Sequence, residues 1–410
     1  MFAYIIGVVL FALGIGIAVA LHEAGHMLTA KAFGMTVRRY FIGFGPKIFS
    51  FRRGGTEYGL KAIPAGGFCD IAGMTALDEV TEAEAPHAMW RYPTWKRVVV
   101  LSAGSITHFI LGFLVLYLMA LSIGLVNTND KPLVSGVANC VTDLNPTTLV
   151  PTPCKPGDPA PAKNGGIQAG DEIVEVNGHA TATFTDVSTQ VQKADGPTSF
   201  VVLRNGQRIT LNVDVAKVKG LTVAQQESAN PSQQKLTTIG MIGVVPSRFV
   251  HYNGVTAVGG TVQYTGQMFA GVWAGLKQLP NKVPSLISAI GGAKRDVNSP
   301  MSVVGVSRLG GEAVQDSQWP LFWLLLATLQ FFLGVFNLLP LLPLDGGHIA
   351  VALYERVRDW LRRLRGRPAG GPVDYTKLAP LTLVVVFLGG AMVLLSVTAD
   401  IVNPIRLNGQ

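Results

Sequence analysis

Long runs without charge alternate with polar stretches along this chain, and that alternation is its first structural signal. Four segments, Phe2 to Leu21, Val98 to Val126, Trp319 to Leu344 and Leu378 to Ala399, are apolar over the roughly 20 residues a helix needs to cross about 30 Å of hydrocarbon. Each is expected to be a transmembrane helix. Between the second and third, the pattern changes to short β-rich runs, Glu172 to Val176, Phe200 to Leu203 and Ile209 to Val215, punctuated by Asn177-Gly178 and Asn205-Gly206. Such runs separated by turn residues read as a small water-facing domain. Ahead of the second span, Thr36 to Phe51 and Thr56 to Ile63 alternate weakly around Arg52-Arg53-Gly54-Gly55, which predicts a β-hairpin. After the insert, Met268, Phe269, Val272, Trp273, Leu276 and Leu279 recur at helical spacing, which predicts an amphipathic helix lying in the membrane interface.

These patterns divide the chain into residues 1–35 (first span), 36–94 (membrane-associated hairpin loop), 95–126 (second span), 127–250 (insert) and 251–318 (juxtamembrane amphipathic segment). Residues 319–348 (third span), 349–377 (basic loop) and 378–410 (fourth span and tail) complete it. The expected class is a polytopic α-helical membrane protein with four transmembrane helices, a membrane-associated β-hairpin and an inserted extracytoplasmic α+β domain.

Composition agrees with the pattern. Of 410 residues, 49% are hydrophobic and only 14% charged, against about 25% charged in ordinary soluble domains. The net charge of +8 would fit a nucleic-acid partner if it were spread over a surface. It is concentrated instead in two loops, with Arg38, Arg39, Lys47, Arg52 and Arg53 among those after the first span and Arg356, Arg358, Arg362, Arg363 and Arg365 after the third. By the positive-inside rule both loops are cytoplasmic, which puts both termini and the insert outside, leaves anionic membrane lipid as the basic loops' partner, and argues against nucleic acid. Cys140 and Cys154 then share the oxidising side and are expected to form a disulfide, whereas Cys69 faces the cytoplasm as an inert thiol.

Candidate chemistry sits where the first span ends, in Leu21-His22-Glu23-Ala24-Gly25-His26. Residues four apart share a helix face, so His22 and His26 can hold one zinc ion, while Glu23 can act as general base toward water. Ionisable groups bordering an apolar span are costly and call for a functional reason. A catalytic zinc site takes three protein ligands and keeps one position open. The expected third ligand is Asp345 in Asn337-Leu338-Leu339-Pro340-Leu341-Leu342-Pro343-Leu344-Asp345-Gly346-Gly347, because the first and third spans run the same way and end at similar depth. Gly66-Gly67 would permit close backbone approach beside such a site, and the hairpin's free edge could pair with an extended substrate strand.

HEAGH and the NxxPxxPLDGG segment, with the four-span plan and the insert, resemble the site-2 protease family of intramembrane zinc metalloproteases (peptidase family M50). Residues 38–46, 66–74 and 403–407 are similar to its actinobacterial, Rip-type branch. The resemblance implies one Zn2+ per chain held by His22, His26 and Asp345, with Glu23 as catalytic base. It implies single-span membrane substrates such as anti-sigma factors, cut after an upstream extracytoplasmic protease has trimmed them. The stretch Asn164 to Gly178 is similar to a PDZ pattern, in keeping with an insert that excludes untrimmed substrates. Asn337 is expected to orient substrate or the Asp345 loop. One departure stands out: where the family carries a GPxxN-like motif, this chain has Gly104-Ser105-Ile106-Thr107-His108. An imidazole N–H can donate to an oxyanion, so His108 is a candidate replacement, with metal binding or impaired catalysis as its alternatives; a catalytically silent scaffold with a partner-binding insert is the competing reading.

Overall fold

The computed structural model describes residues 1–75, 77–227 and 235–407, so the expectations for the insert over 228–234 and for the tail over 408–410 lie outside it. The chain forms two compact units, Met1–Met119 with Gly254–Gln410, and Ala120–Asn253.

In the first unit four helices are long and apolar enough to cross a membrane: Phe2–Ala32 (α1), Thr94–Ser122 (α2), Trp319–Asn337 and Ala379–Val402. Helix α1 outlasts its apolar run by a further turn or more and so carries His22, Glu23 and His26 on continuous helical backbone. The third span is shorter than the apolar run suggests, because the helix stops at Asn337 before Pro340 and Pro343. Proline lacks the amide proton and crowds the preceding turn. A tight loop follows, and Asp345 opens a new helix, Asp345–Leu364, instead of closing the old one. The loop folds so closely that a Cβ on Gly346 would lie 2.2 Å from the Leu338 carbonyl oxygen, and one on Gly347 2.5 Å from the Leu342 nitrogen.

The strands Val37–Arg53 (β1) and Thr56–Ile71 (β2) form the expected hairpin, with a larger architecture than the sequence pattern indicates. Each arm turns back on itself, at Gly43 and Gly45 (φ +88° and +78°) and at Gly66 (φ +124°), values that glycine adopts without strain. Residues 39–42 therefore pair twice, with 67–70 on one side and with 57–60 on the other. The result is a ribbon of four runs side by side, whose edge run, Gly67 to Ile71, has no second strand beside it among the described residues. Tyr40 Oη donates to the Ala20 carbonyl at 2.7 Å and ties the ribbon to α1.

The segment expected to lie in the interface is two helices. Thr256–Ile290 runs through Pro280 and Pro284, and its Phe269 meets Phe109 and Phe331 edge to face, with centroids 4.9 and 5.2 Å apart. It is therefore packed on α2 and on the third span. Val303–Gln315 went unread; its buried face sets Leu309 and Val314 among the small residues Gly305, Ser307, Gly310, Gly311 and Ala313. Those small residues let it lie directly on α1: a Cβ on Gly7 would fall 2.8 Å from Gly311 Cα. Such small-residue faces are how helices meet closely in lipid.

The second unit has an antiparallel five-stranded sheet in the spatial order 179–180, 172–176, 196–204, 207–220, 237–241, with Ile173, Phe200, Val202 and Val213 fully buried under helix Phe184–Lys193. Asp171 is buried and accepts from Arg204 Nε and Nη2 at 2.7 and 2.8 Å, holding the turn before strand Glu172–Val176. Cys140 and Cys154 form a disulfide, Cα atoms 5.9 Å apart.

Candidate metal centre

Helical spacing alone puts His22 and His26 on one face of α1, and their Nε2 atoms are 3.2 Å apart. The turn after the third span brings Asp345 Oδ2 to 3.4 Å from His22 Nε2 and 3.3 Å from His26 Nε2. Ligands arranged tetrahedrally about 2.0–2.1 Å from zinc stand roughly 3.3–3.4 Å from one another, so the observed triangle has the right edge lengths. Its chemistry fits as well. His26 Nδ1 donates to the Val100 carbonyl at 2.7 Å, which fixes the tautomer and turns the Nε2 lone pair toward Asp345. Asp345 Oδ2 is buried without a hydrogen-bond donor, an expensive state for a carboxylate oxygen unless a cation satisfies it. These three residues are the group among the described residues able to share a metal ion.

The rings need space that α2 supplies by having glycine at one position. A Cβ on Gly104 would lie 2.3 Å from His26 Nε2 and 2.5 Å from His22 Cε1. Sequence reasoning singled out the Gly104 to His108 stretch for His108 and passed over this glycine. Glu23 lies on another face of α1, against the free run of β2: a Cβ on Gly67 would be 3.1 Å from Glu23 Cγ. The Gly66-Gly67 pair is thus beside the carboxylate, with Gly66 making the turn and Gly67 allowing the approach.

His108 lies next to the triad without joining it. Its ring is 4.9 Å from that of His22, and its Nδ1 is 2.7 Å from Gln330 Oε1. This hydrogen bond ties α2 to the third span and fixes the plane of the imidazole beside the triad. Gln330 itself was missed, although a lone amide inside an apolar span was a legible signal. Asn337 closes the third-span helix, and its side chain makes no hydrogen bond among the described residues.

A sequence model of peptidase family M50 matches residues 10–378. The chain belongs to that family. It is 46% identical over 410 residues to zinc metalloprotease Rip1 of Mycolicibacterium smegmatis, with 98% of each chain covered. Identity is 44% to zinc metalloprotease Rip1 of Mycobacterium tuberculosis, covering 98% of this chain and 99% of that protein. Metalloprotease MmpA of Caulobacter vibrioides is 27% identical over 90% of this chain and 92% of its own. This M50 chain is accordingly a membrane zinc metalloprotease, and zinc is its metal.

Proposed function

We propose that the chain is an intramembrane endopeptidase that cuts single-span membrane proteins, with His22, His26 and Asp345 holding zinc and Glu23 as general base. The observation that carries this reading is the triangle of 3.2, 3.3 and 3.4 Å contributed by one face of α1 and the first residue of helix Asp345–Leu364, with Glu23 beside the run of β2 that has no second strand. Bound zinc supplies Lewis-acid activation of water and of the scissile carbonyl. The chain does the rest. The edge from Gly67 to Ile71 accepts the substrate as an added strand, which unwinds a helix whose backbone would otherwise be internally hydrogen-bonded. Glu23 takes a proton from the attacking water and returns it to the leaving amine. A silent scaffold would have no use for an unsatisfied buried carboxylate facing two imidazoles, and the chain's family is one of peptidases.

We read the second unit as a PDZ-like extracytoplasmic module. Its support is the Gly170-Asp171 turn before strand Glu172–Val176, the Asn177-Gly178 turn after it, and a cleft of about 160 Å³ between helix Phe184–Lys193 and the edge strand Thr237–Met241. In this reading the module admits substrates already trimmed by an upstream protease. Both termini are extracytoplasmic and the zinc lies toward the cytoplasm, and anti-sigma factors are the proposed substrates. The decisive experiment compares wild type with Glu23→Gln in vesicles containing a trimmed single-span substrate. Cleavage should fall at least about a thousandfold while one zinc per chain is retained; undiminished cleavage would overturn the assignment.

A further inference from the structure

Away from the zinc centre, a groove of about 850 Å³ lies between the start of α2 and helix Asp345–Leu364. Its walls include Trp90, Tyr92, Trp95 and Leu353, together with Arg356 and Arg363. Two carboxylates in the wall are already engaged: Glu355 takes Arg97 Nη1 at 2.7 Å, and Asp359 takes Arg358 Nη2 at 3.0 Å and the Gly370 amide at 3.0 Å. Arg356 and Arg363 are exposed, and neither has a carboxylate partner among the described residues. Seven residues apart, they lie on one helix face roughly 10 Å from each other. Arg97 Nε, buried in the same wall, has no hydrogen-bond acceptor.

The same helix exposes an apolar stripe, Leu353, Val357, Trp360 and Leu364, at three- and four-residue spacing. Trp90 and Trp95 across the groove are also exposed. An amphipathic helix with tryptophans on its apolar side and arginines on its polar side lies in the headgroup boundary. The groove thus offers unpaired guanidiniums beside aliphatic and indole surface, which complements a molecule that is anionic at one end and apolar at the other.

We propose that this groove is a binding site for one anionic phospholipid, its phosphate on Arg356 and Arg363 and its glycerol and acyl portion along Leu353, Trp90 and Trp95. The Arg97–Glu355 pair joins α2 to the helix that opens at Asp345, so the occupied groove braces the two elements that carry Gly104 and the third metal ligand. The inference does not depend on which substrate is cut.

Native mass spectrometry of the full chain, released from micelles after exposure to phosphatidylglycerol or phosphatidylcholine, tests it directly. One phosphatidylglycerol should be retained per chain in preference to phosphatidylcholine. Each basic group near an anionic headgroup contributes about fivefold in affinity, so the Arg356→Gln/Arg363→Gln double variant should bind about 25-fold more weakly. An Arg365→Gln/Arg367→Gln control, altered outside the groove, should bind as wild type does. Equal retention of both lipids, an equal loss in the control, or displacement of the lipid by millimolar inorganic phosphate would each overturn the proposal.

Discussion

At the scale of single residues, the proposed zinc centre depends as much on a missing side chain as on the three residues proposed to hold the metal. Gly104 occupies the spot where any Cβ would press on both imidazoles, 2.3 Å from His26 Nε2. Gly104→Ala removes no ligand, yet it should move the rings off the triangle and lower zinc affinity by about 10- to 100-fold, the range seen when groups supporting a ligand are disturbed. Competitive chelation followed by metal analysis checks this; unchanged affinity would mean that α2 can retreat at no cost. Val100 acts in the same way at the other end of His26, through the carbonyl that fixes its tautomer.

At the scale of elements, two polar clusters hold pieces that the apolar pattern leaves loose. Arg295 is buried, with Nη2 2.7 Å from Asp400 Oδ1 and Nε donating to Ser299 Oγ at 3.0 Å; Asp400 Oδ2 accepts from the Ser302 amide at 2.7 Å. This cluster anchors the end of Ala379–Val402, a span that otherwise faces outward along most of its length. Asp400→Leu would strand a buried guanidinium and should destabilise the protein by about 3–5 kcal/mol, whereas Arg295→Met/Asp400→Leu should recover much of the loss. Thermal unfolding in detergent of the two variants measures the difference. The second cluster joins the ribbon to the loop after it, where Arg38 bonds Glu84 Oε1 at 2.7 Å and Asp78 Oδ1 at 2.8 Å. Hydrogen bonds from Arg38, then from the Thr81 backbone, hold the Glu84 carboxyl down at about 2. A depressed folded value stabilises the docked loop above the unfolded carboxylate value, about 4.3, and that contribution is lost as pH falls toward 2. Limited proteolysis of residues 77–92 should therefore stay slow from pH 7 to about 5 and speed up below about 4; acceleration already at pH 6 would point to another group.

For the molecule as a whole, the insert carries its own core, and its ends return to one place. Leu125 pairs with Val250 and Val126 with Phe249, so the chain leaves and re-enters this unit through adjacent strands. Paired residues lie about 5 Å apart, and residues 127–248 can be replaced by a short turn without stretching the backbone. If the module screens substrates by size, that deletion should raise cleavage of an untrimmed substrate about tenfold or more while leaving a trimmed one near its original rate. Equal rates on the untrimmed substrate before and after deletion would remove the screening role.

What could be read without coordinates was whatever depends on neighbours along the chain. The spans follow from transfer of apolar side chains into lipid, the His22 and His26 pair from the helical repeat, and the turn at Asn177-Gly178 from residues that accept positive φ. Asp345 was reachable because the first and third spans, expected to run the same way, would end at like depth. Hidden in the sequence were the contacts whose partners are far apart in it: Gly104 under the imidazoles, Gln330 on His108, the ribbon turned back on itself at Gly43 and Gly66, and Val303–Gln315 lying on α1 through glycines. A missing Cβ matters only to the group that fills its place. Tertiary structure decided those points because close packing is a property of two surfaces, and the sequence displays each surface separately.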